Sequence, residues 1–182
     1  MKLLAEALKL ATEAHAGQKW RDGETPFITH PLAVSALVIR FGGDEEQACS
    51  ALIHDALETG LRLSPEIARI AGAFADPPGA SGDWQSLKRA YLEKLRSLDE
   101  RALLVVGAEE LHEITDLLME LRQKPPAVVW ARYPSHAMNM AWYYKEILSI
   151  VHARLKSDRA RGLVAELALA VRQLATQVFE GA

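Results

Sequence analysis

Apolar residues recur every three or four positions through most of this sequence, which is the spacing of amphipathic α-helices. The stripes begin near residues 2, 31, 45, 64, 84, 99, 138 and 158. Proline, glycine and short polar residues separate them and supply the expected helix ends. No segment of useful length alternates with the period of two that marks a strand. The pattern therefore predicts an all-α fold, a bundle of about seven or eight helices in a single domain covering residues 1–182.

Composition and charge narrow the class of protein. The chain has 182 residues, of which 49% are hydrophobic and 25% charged, as is ordinary for a globular domain. The net charge of −3 gives no basic field of the kind that binds nucleic acid. No apolar run approaches the roughly 18 residues that a membrane span needs. We therefore expect neither a nucleic acid nor a membrane as partner.

The single cysteine and the first residues bear on location. Cys49 excludes an internal disulfide and is expected to be a small buried side chain. The N-terminus carries the acidic residue Glu6 too early for a signal peptide. Both observations predict a cytoplasmic protein.

A polar pair interrupts the third helical stripe, which is predicted to run from residue 45 to about 59. His54 and Asp55 stand side by side in a segment that otherwise reads as buried, and burying them is costly without a compensating partner. A metal ion is such a partner. Glu58 follows His54 at i+4, which in an α-helix places both on one face. A carboxylate there is suited to activating water.

Two further residues can complete a metal site. His30 precedes Pro31 and is expected at or beside the N-cap of the second helix. A lone histidine there would be read as structural, but with His54 and Asp55 it becomes a candidate ligand. Glu109 follows five uncharged residues in the long helix after residue 99, so it is a candidate for facing inward. The alternative for Glu109 is a solvated helix face.

The order of these marks resembles the HD-domain metal-dependent phosphohydrolase superfamily, in the (p)ppGpp-hydrolase-like branch that includes Rel/Spo hydrolase domains and small alarmone hydrolases. The resembling segments are residues 14–18, 23–31, 51–58, Trp84 with 88–92, 108–112 and 142–144. The resemblance implies an all-α fold and a divalent metal, usually Mn²⁺. It implies that the metal ligands are His30, His54, Asp55 and Glu109, that Glu58 orients or deprotonates the attacking water, and that Arg21 and Tyr143 contact a small nucleotide or phosphate ester.

The chain departs from the family pattern at several of these positions. Glu109 stands where the family has aspartate, Thr59 replaces the second acid of the catalytic pair, Trp20 stands where arginine is common, and Glu113 replaces an asparagine. Two hypotheses therefore stay open: a phosphohydrolase, with (p)ppGpp as one substrate and its 3′-pyrophosphate as the group removed, or a module that binds metal or nucleotide without turnover in a regulatory role. The sequence leaves the oligomeric state open.

Overall fold

A computed structural model of the chain describes the backbone of residues 2–59, 64–133 and 135–180, with the side chains at 57–59 and 179–180 outside that description. In these ranges the protein is helical, and the one β-type pairing is an isolated bridge between Lys19 and Pro26. The all-α prediction is confirmed. The α-helices are α1 (Lys2–Ala14), α2 (Thr29–Arg40), α3 (Glu45–Ile53), α4 (Pro65–Ala71), α5 (Trp84–Ser97), α6 (Glu100–Gln123), α7 (Pro126–Trp130), α8 (Ala137–Arg154) and α9 (Asp158–Glu180). Short 3-10 helices cover His54–Thr59 and Gly72–Phe74.

The described residues form nine α-helices, against the predicted seven or eight. The additional one is α7, a single turn that follows Pro125 in a segment read from the sequence as an apolar stretch before a loop. None of these helices combines the length and the apolar character that crossing a membrane requires. The chain divides into two compact units, Met1–Ala75 with Asp99–Glu109, and Asp76–Leu98 with Glu110–Ala182. The single-domain prediction stays a prediction.

The core of the first unit forms between α1, α3 and α4. Small residues on α1 allow its backbone to approach α3 closely, and Cys49 is fully buried between them, as predicted. Burial raises the pKa of its thiol to about 11, so this cysteine is an inert packing residue. The cluster consists of Ala7, Ala11, Cys49, Leu52, Ile53, Ile67 and Ala71, with Leu4 and Ile28 packed against it.

The connection between α2 and α3 is tight, and it sets how the two helices meet. Gly42 adopts a φ of +99°, which favours glycine. A Cβ at Gly43 would lie 2.4 Å from Val38 Cγ1 and 2.9 Å from the Val38 carbonyl oxygen, so a side chain there would force the helices apart. Asp44 then caps α3 with a capping box: its side chain accepts from the Gln47 N–H, and the Gln47 side chain accepts from the Asp44 N–H.

Charged side chains tie the start of α3 to the start of α6. Gln47 donates to the Arg101 carbonyl oxygen at 2.9 Å. The Arg101 guanidinium contacts the carboxylates of Asp44, Glu46 and Glu66 at 2.5, 3.3 and 3.0 Å. Because these pairs are partly exposed, each is worth little alone, but together they hold the start of α3 beside the start of α6.

Two predicted helix boundaries were wrong, and both lie at that site. Helix α2 begins at Thr29 rather than at Pro31, because the Thr29 and His30 N–H groups already donate to the carbonyls of Pro26 and Phe27 in a turn that leads into the helix. His30 therefore lies in the first turn instead of at the cap. Helix α3 ends at Ile53 and continues as a 3-10 helix, where a longer α-helix was expected.

The side chain of His54 explains the change of winding. Its Nδ1 lies 2.7 Å from the Ala51 carbonyl oxygen, which an α-helix would offer to the backbone N–H four residues later. This competition favours the tighter 3-10 winding.

The second unit is built on pairs of long helices. Helix α8 packs against α9 and against α5. Tyr144, Ile147 and Leu163 are fully buried there. At the start of α9 the Ser157 hydroxyl accepts from the Ala160 N–H, so Ser157 caps this helix.

Candidate metal centre

The 3-10 helix that follows α3 carries His54 and Asp55. The Ala51 carbonyl oxygen can only accept a hydrogen bond, so the proton of the neutral His54 ring resides on Nδ1. That leaves the lone pair on Nε2, which faces the neighbouring polar groups. Asp55 Oδ2 lies 3.1 Å from this Nε2, and the Asp55 side chain is 38% exposed. The pair thus combines a buried imidazole with a carboxylate open to solvent.

The first turn of α2 brings His30 to the same point. Its Nε2 lies 3.4 Å from His54 Nε2 and 3.7 Å from Asp55 Oδ2. Both imidazoles are buried. Two ring nitrogens directed at each other in this way are costly unless a proton or a cation lies between them.

Helix α6 supplies Glu109. Its Oε1 lies 3.5 Å from His54 Nε2 and 4.0 Å from His30 Nε2, and its side chain is 19% exposed. The structure thus places Glu109 inward, beside the histidines. Of the two alternatives for this residue, this is the one that the uncharged run before it favoured. Among the described residues, one ligand atom each from His30, His54 and Glu109 lies within 4.8 Å of the others.

The charges of this cluster perturb each other. Burial of the His54 ring opposes its protonation, but the carboxylates of Glu109 and Asp55 outweigh burial and raise the pKa of His54 well above its ordinary value of 6.5. Burial acts to raise the pKa of Asp55, but its hydrogen bond to His54 and the nearby imidazoles lower it below 3.8. The site is therefore a pocket of negative potential that attracts a proton or a metal cation.

Aromatic rings pack against both histidines. Phe74 lies against His54 with ring centroids 4.5 Å apart, and Trp20 stacks on His30 at 4.5 Å. Phe27 meets His30 edge-on at 5.9 Å. These rings restrict the imidazole planes and lower the local dielectric, which strengthens electrostatic interactions at the site.

The donor set fits a divalent metal ion. Ligand atoms about 2.1 Å from a shared cation are separated by about 3.0–3.5 Å at tetrahedral or octahedral angles. The separations from His54 Nε2 to His30, Asp55 and Glu109 are 3.4, 3.1 and 3.5 Å. Imidazole and carboxylate together suit zinc, iron, nickel or manganese, and do not by themselves select among them.

The remaining predicted site residues fall outside this cluster or outside the described residues. The side chains of Glu58 and Thr59 belong to the undescribed part, so the catalytic role of Glu58 stays a prediction. The exposed Arg21 lies with its guanidinium carbon 4.7 Å from the centroid of the Trp20 ring that stacks on His30. Tyr143 belongs to the second unit, where it is buried and its hydroxyl donates to Glu110 Oε1 at 2.5 Å.

Sequence reasoning treated Trp20 only as a departure from the family pattern and missed its contact with His30. The available signal was an indole ten positions from a candidate ligand in a loop of turn-forming residues, and loops carry no periodicity from which a contact can be predicted. The partnership between Glu110 and Tyr143 was likewise missed, since their positions lie 33 residues apart.

Comparison with known proteins identifies the family. The HD domain family matches residues 7–131, which is more than half of the chain. The bifunctional (p)ppGpp synthase/hydrolase SpoT of Escherichia coli K12 is 41% identical over 129 residues, covering 64% of this chain and 18% of the relative. A probable GTP pyrophosphokinase of Mycobacterium leprae is 29% identical over 126 residues, covering 63% of this chain and 16% of the relative. The chain thus spans less than a fifth of the length of these curated relatives.

Two solved structures share the fold. A structure described as a metazoan ortholog of SpoT that hydrolyses ppGpp aligns with a TM-score of 0.66 at 23% identity, over 97% of this chain and 96% of that one. A crystal structure from Listeria monocytogenes EGD-e aligns with a TM-score of 0.69 at 22% identity, over 79% of this chain and 96% of that one. The family match over residues 7–131 shows that the chain belongs to the HD domain family.

Proposed function

We propose that this chain is a metal-dependent phosphohydrolase that acts on a nucleotide or a related phosphate ester, with the 3′-pyrophosphate of (p)ppGpp as its first candidate. The observation that carries the proposal is the convergence of His30, His54, Asp55 and Glu109 on one point of an HD fold. The relative named as a (p)ppGpp synthase/hydrolase supports the substrate class.

In this proposal His30, His54, Asp55 and Glu109 hold the metal, and Mn²⁺ is the ion that we favour. When bound, a divalent cation supplies Lewis-acid polarisation of a phosphoryl group and makes a nearby water easier to deprotonate. The Ala51 carbonyl keeps the His54 proton on Nδ1, so the lone pair of Nε2 stays available to bind the metal. Asp55, exposed at 38%, is the ligand that an incoming substrate meets.

Other residues of the chain deal with the substrate and the proton. Arg21 is exposed beside Trp20 and is suited to neutralise phosphate charge. Glu58 is proposed, from the family pattern, to take the proton of the attacking water. Phe74 and Trp20 exclude water from the inner side of the histidines. The substrate is a small molecule, and we propose that the protein works in the cytoplasm.

The test is hydrolysis of (p)ppGpp by the purified chain with Mn²⁺, following pyrophosphate release. We expect turnover by the wild type and its loss in the His54→Ala/Asp55→Ala double variant. His152→Ala is the matched control, because His152 is an exposed histidine of α8. Release that persists in the double variant contradicts the proposed site. A parallel screen of nucleoside mono-, di- and triphosphates separates the reaction class from the particular substrate.

A second candidate function is a module that binds metal or nucleotide without turnover. Thr59 favours it, because the family pattern has a second acid there. Mn²⁺ that binds the wild type and raises its thermal midpoint, with no hydrolysis of any phosphate ester in the screen, would select this function over the first.

A further inference from the structure

The loop before α2 is built more firmly than a connection requires. Its two sides pair at Lys19 and Pro26, and Phe27 N–H donates to the Gln18 carbonyl oxygen at 3.0 Å. Trp20 N–H donates to the Thr25 carbonyl oxygen at 2.8 Å. The loop is thus a small hairpin, residues 18–27, with Trp20 on its first side.

The tip of this hairpin is closed by further bonds. The Trp20 carbonyl accepts from the Gly23 N–H at 2.9 Å, and Gly23 adopts a φ of +81°, which favours glycine. Asp22 accepts from the N–H groups of Glu24 and Thr25 at 2.8 and 2.9 Å, and from the Thr25 hydroxyl at 2.5 Å. These bonds fix the backbone of Trp20 from both sides.

The fixed indole lies on a candidate metal ligand. The rings of Trp20 and His30 have centroids 4.5 Å apart and planes inclined by 17°, so they are stacked. Phe27 contacts both rings, at 5.4 Å from Trp20 and 5.9 Å from His30. His30 Nε2 can face His54 only while its ring keeps this plane. The hairpin holds an aromatic ring against the imidazole and thereby keeps His30 Nε2 oriented toward His54.

The indole also suits the charge that the ring acquires. A metal ion draws electrons from an imidazole ligand and makes it partly positive. An electron-rich indole face attracts such a ring more strongly than it attracts a neutral one. The contact is thus stronger in the metal-loaded state, and by linkage it favours metal binding.

We propose that Trp20 is a positioning residue of the metal centre: it holds His30 in the metal-binding orientation and raises the affinity for the ion. The inference rests on the proposed metal site. Trp20 acts through His30 and is not a catalytic residue.

The experiment measures binding of Mn²⁺ alone to the full chain by isothermal titration calorimetry. Partners in the outer shell of a metal site typically change affinity by about 10–100-fold. We expect Trp20→Ala to weaken binding by at least about tenfold on that scale. Trp20→Phe should recover most of the affinity, because a phenyl ring can still stack on His30. A thermal melt without metal separates this effect from a loss of folding.

Tryptophan fluorescence gives a second readout independent of activity. Mn²⁺ bound beside His30 should quench the emission of Trp20, so the quenching should be lost in Trp20→Phe. The matched control is Trp130→Phe, whose ring contacts Tyr133 and should leave the quenching intact.

The outcomes distinguish this inference from the site on which it rests. Wild-type affinity in Trp20→Ala, or quenching that persists in Trp20→Phe, overturns the role of Trp20 while the metal centre stands. Absence of Mn²⁺ binding by the wild type, or binding unchanged in His54→Ala, overturns the metal centre and the inference together.

Discussion

Two consecutive glutamates of α6 are withdrawn from water, and their carboxylates have different kinds of polar partner. Glu109 in the first unit faces the nitrogens of His54 and His30 at 3.5 and 4.0 Å. Glu110 in the second unit is buried, and its Oε1 accepts a hydrogen bond from the Tyr143 hydroxyl at 2.5 Å. One carboxylate has several polar groups around it at distances that leave room for an ion. The other has a neutral donor in direct contact.

The difference teaches how to separate a binding site from a structural pair. A buried carboxylate and a phenol satisfy each other, and the pair is complete without a ligand. Burial, with the Glu110 charge in addition, raises the pKa of Tyr143 well above 10, so its proton stays in the hydrogen bond. Around Glu109 the groups are ligand types at ligand spacings, and their charges favour a cation. Both carboxylates are withdrawn from water, but only the group of side chains around Glu109 is proposed to bind an ion.

The largest expected effect comes from removing the central ligand. His54→Ala should reduce Mn²⁺ affinity by more than about 100-fold, because His54 Nε2 is the atom common to the short distances of the cluster. Calorimetric titration measures it. Tyr143→Phe is the comparison variant and should keep wild-type affinity. Equal losses in the two variants would erase the distinction between the two regions.

The next effect separates the neighbours on α6. Glu109→Gln keeps the shape of the side chain but removes its negative charge, so we expect Mn²⁺ affinity to fall by about 10–100-fold. Glu110→Gln should leave the affinity within error, because its partner is a phenol of the second unit. The same titration on both variants gives the answer. A larger loss in Glu110→Gln than in Glu109→Gln would mean that the roles of the two residues have been exchanged.

Much of the fold could be predicted from the sequence because periodicity and end signals are local. Helices α3, α4 and α6 begin close to the predicted starts near residues 45, 64 and 99, and Asp44 and Ser64 cap the first two of them. The boundaries at the site could not be predicted, since they depend on side-chain bonds. The ring of His54 occupies the Ala51 carbonyl and ends α3 early.

The same division between local and distant information runs through the site. His54, Asp55 and Glu109 were nominated because polar residues in apolar stripes need partners, and His30 because it accompanies the His54-Asp55 pair. The structure brings all four side chains together. What each would contact beyond that set depends on side chains far apart in sequence. The stacking of Trp20 on His30 and the bond from Tyr143 to Glu110 carry no periodic or motif signal.

A smaller effect is expected in stability rather than in binding. Tyr143→Phe removes the hydroxyl and leaves the buried Glu110 carboxylate without this donor, which should cost about 1–3 kcal/mol of unfolding free energy. Urea unfolding measures it. The double variant Tyr143→Phe/Glu110→Leu removes both polar groups and should recover part of the loss. If the single and double variants are equally stable, removing the Glu110 carboxylate recovers nothing, which contradicts this account of the loss.

The smallest expected effect is the release of a proton from His54 when Mn²⁺ binds. The pKa of His54 is raised above 6.5 by its carboxylate neighbours, so without metal its protonated form stabilises the fold below that pH, and this stabilisation is lost as pH rises through the raised value. Binding Mn²⁺ requires the neutral ring, so at pH 7 each ion should displace up to about one proton, and affinity should rise by up to about tenfold per pH unit. Calorimetry in two buffers of different ionisation enthalpy counts the proton. His152→Ala should release the same number, whereas pH-independent binding without proton release would place the ion away from His54.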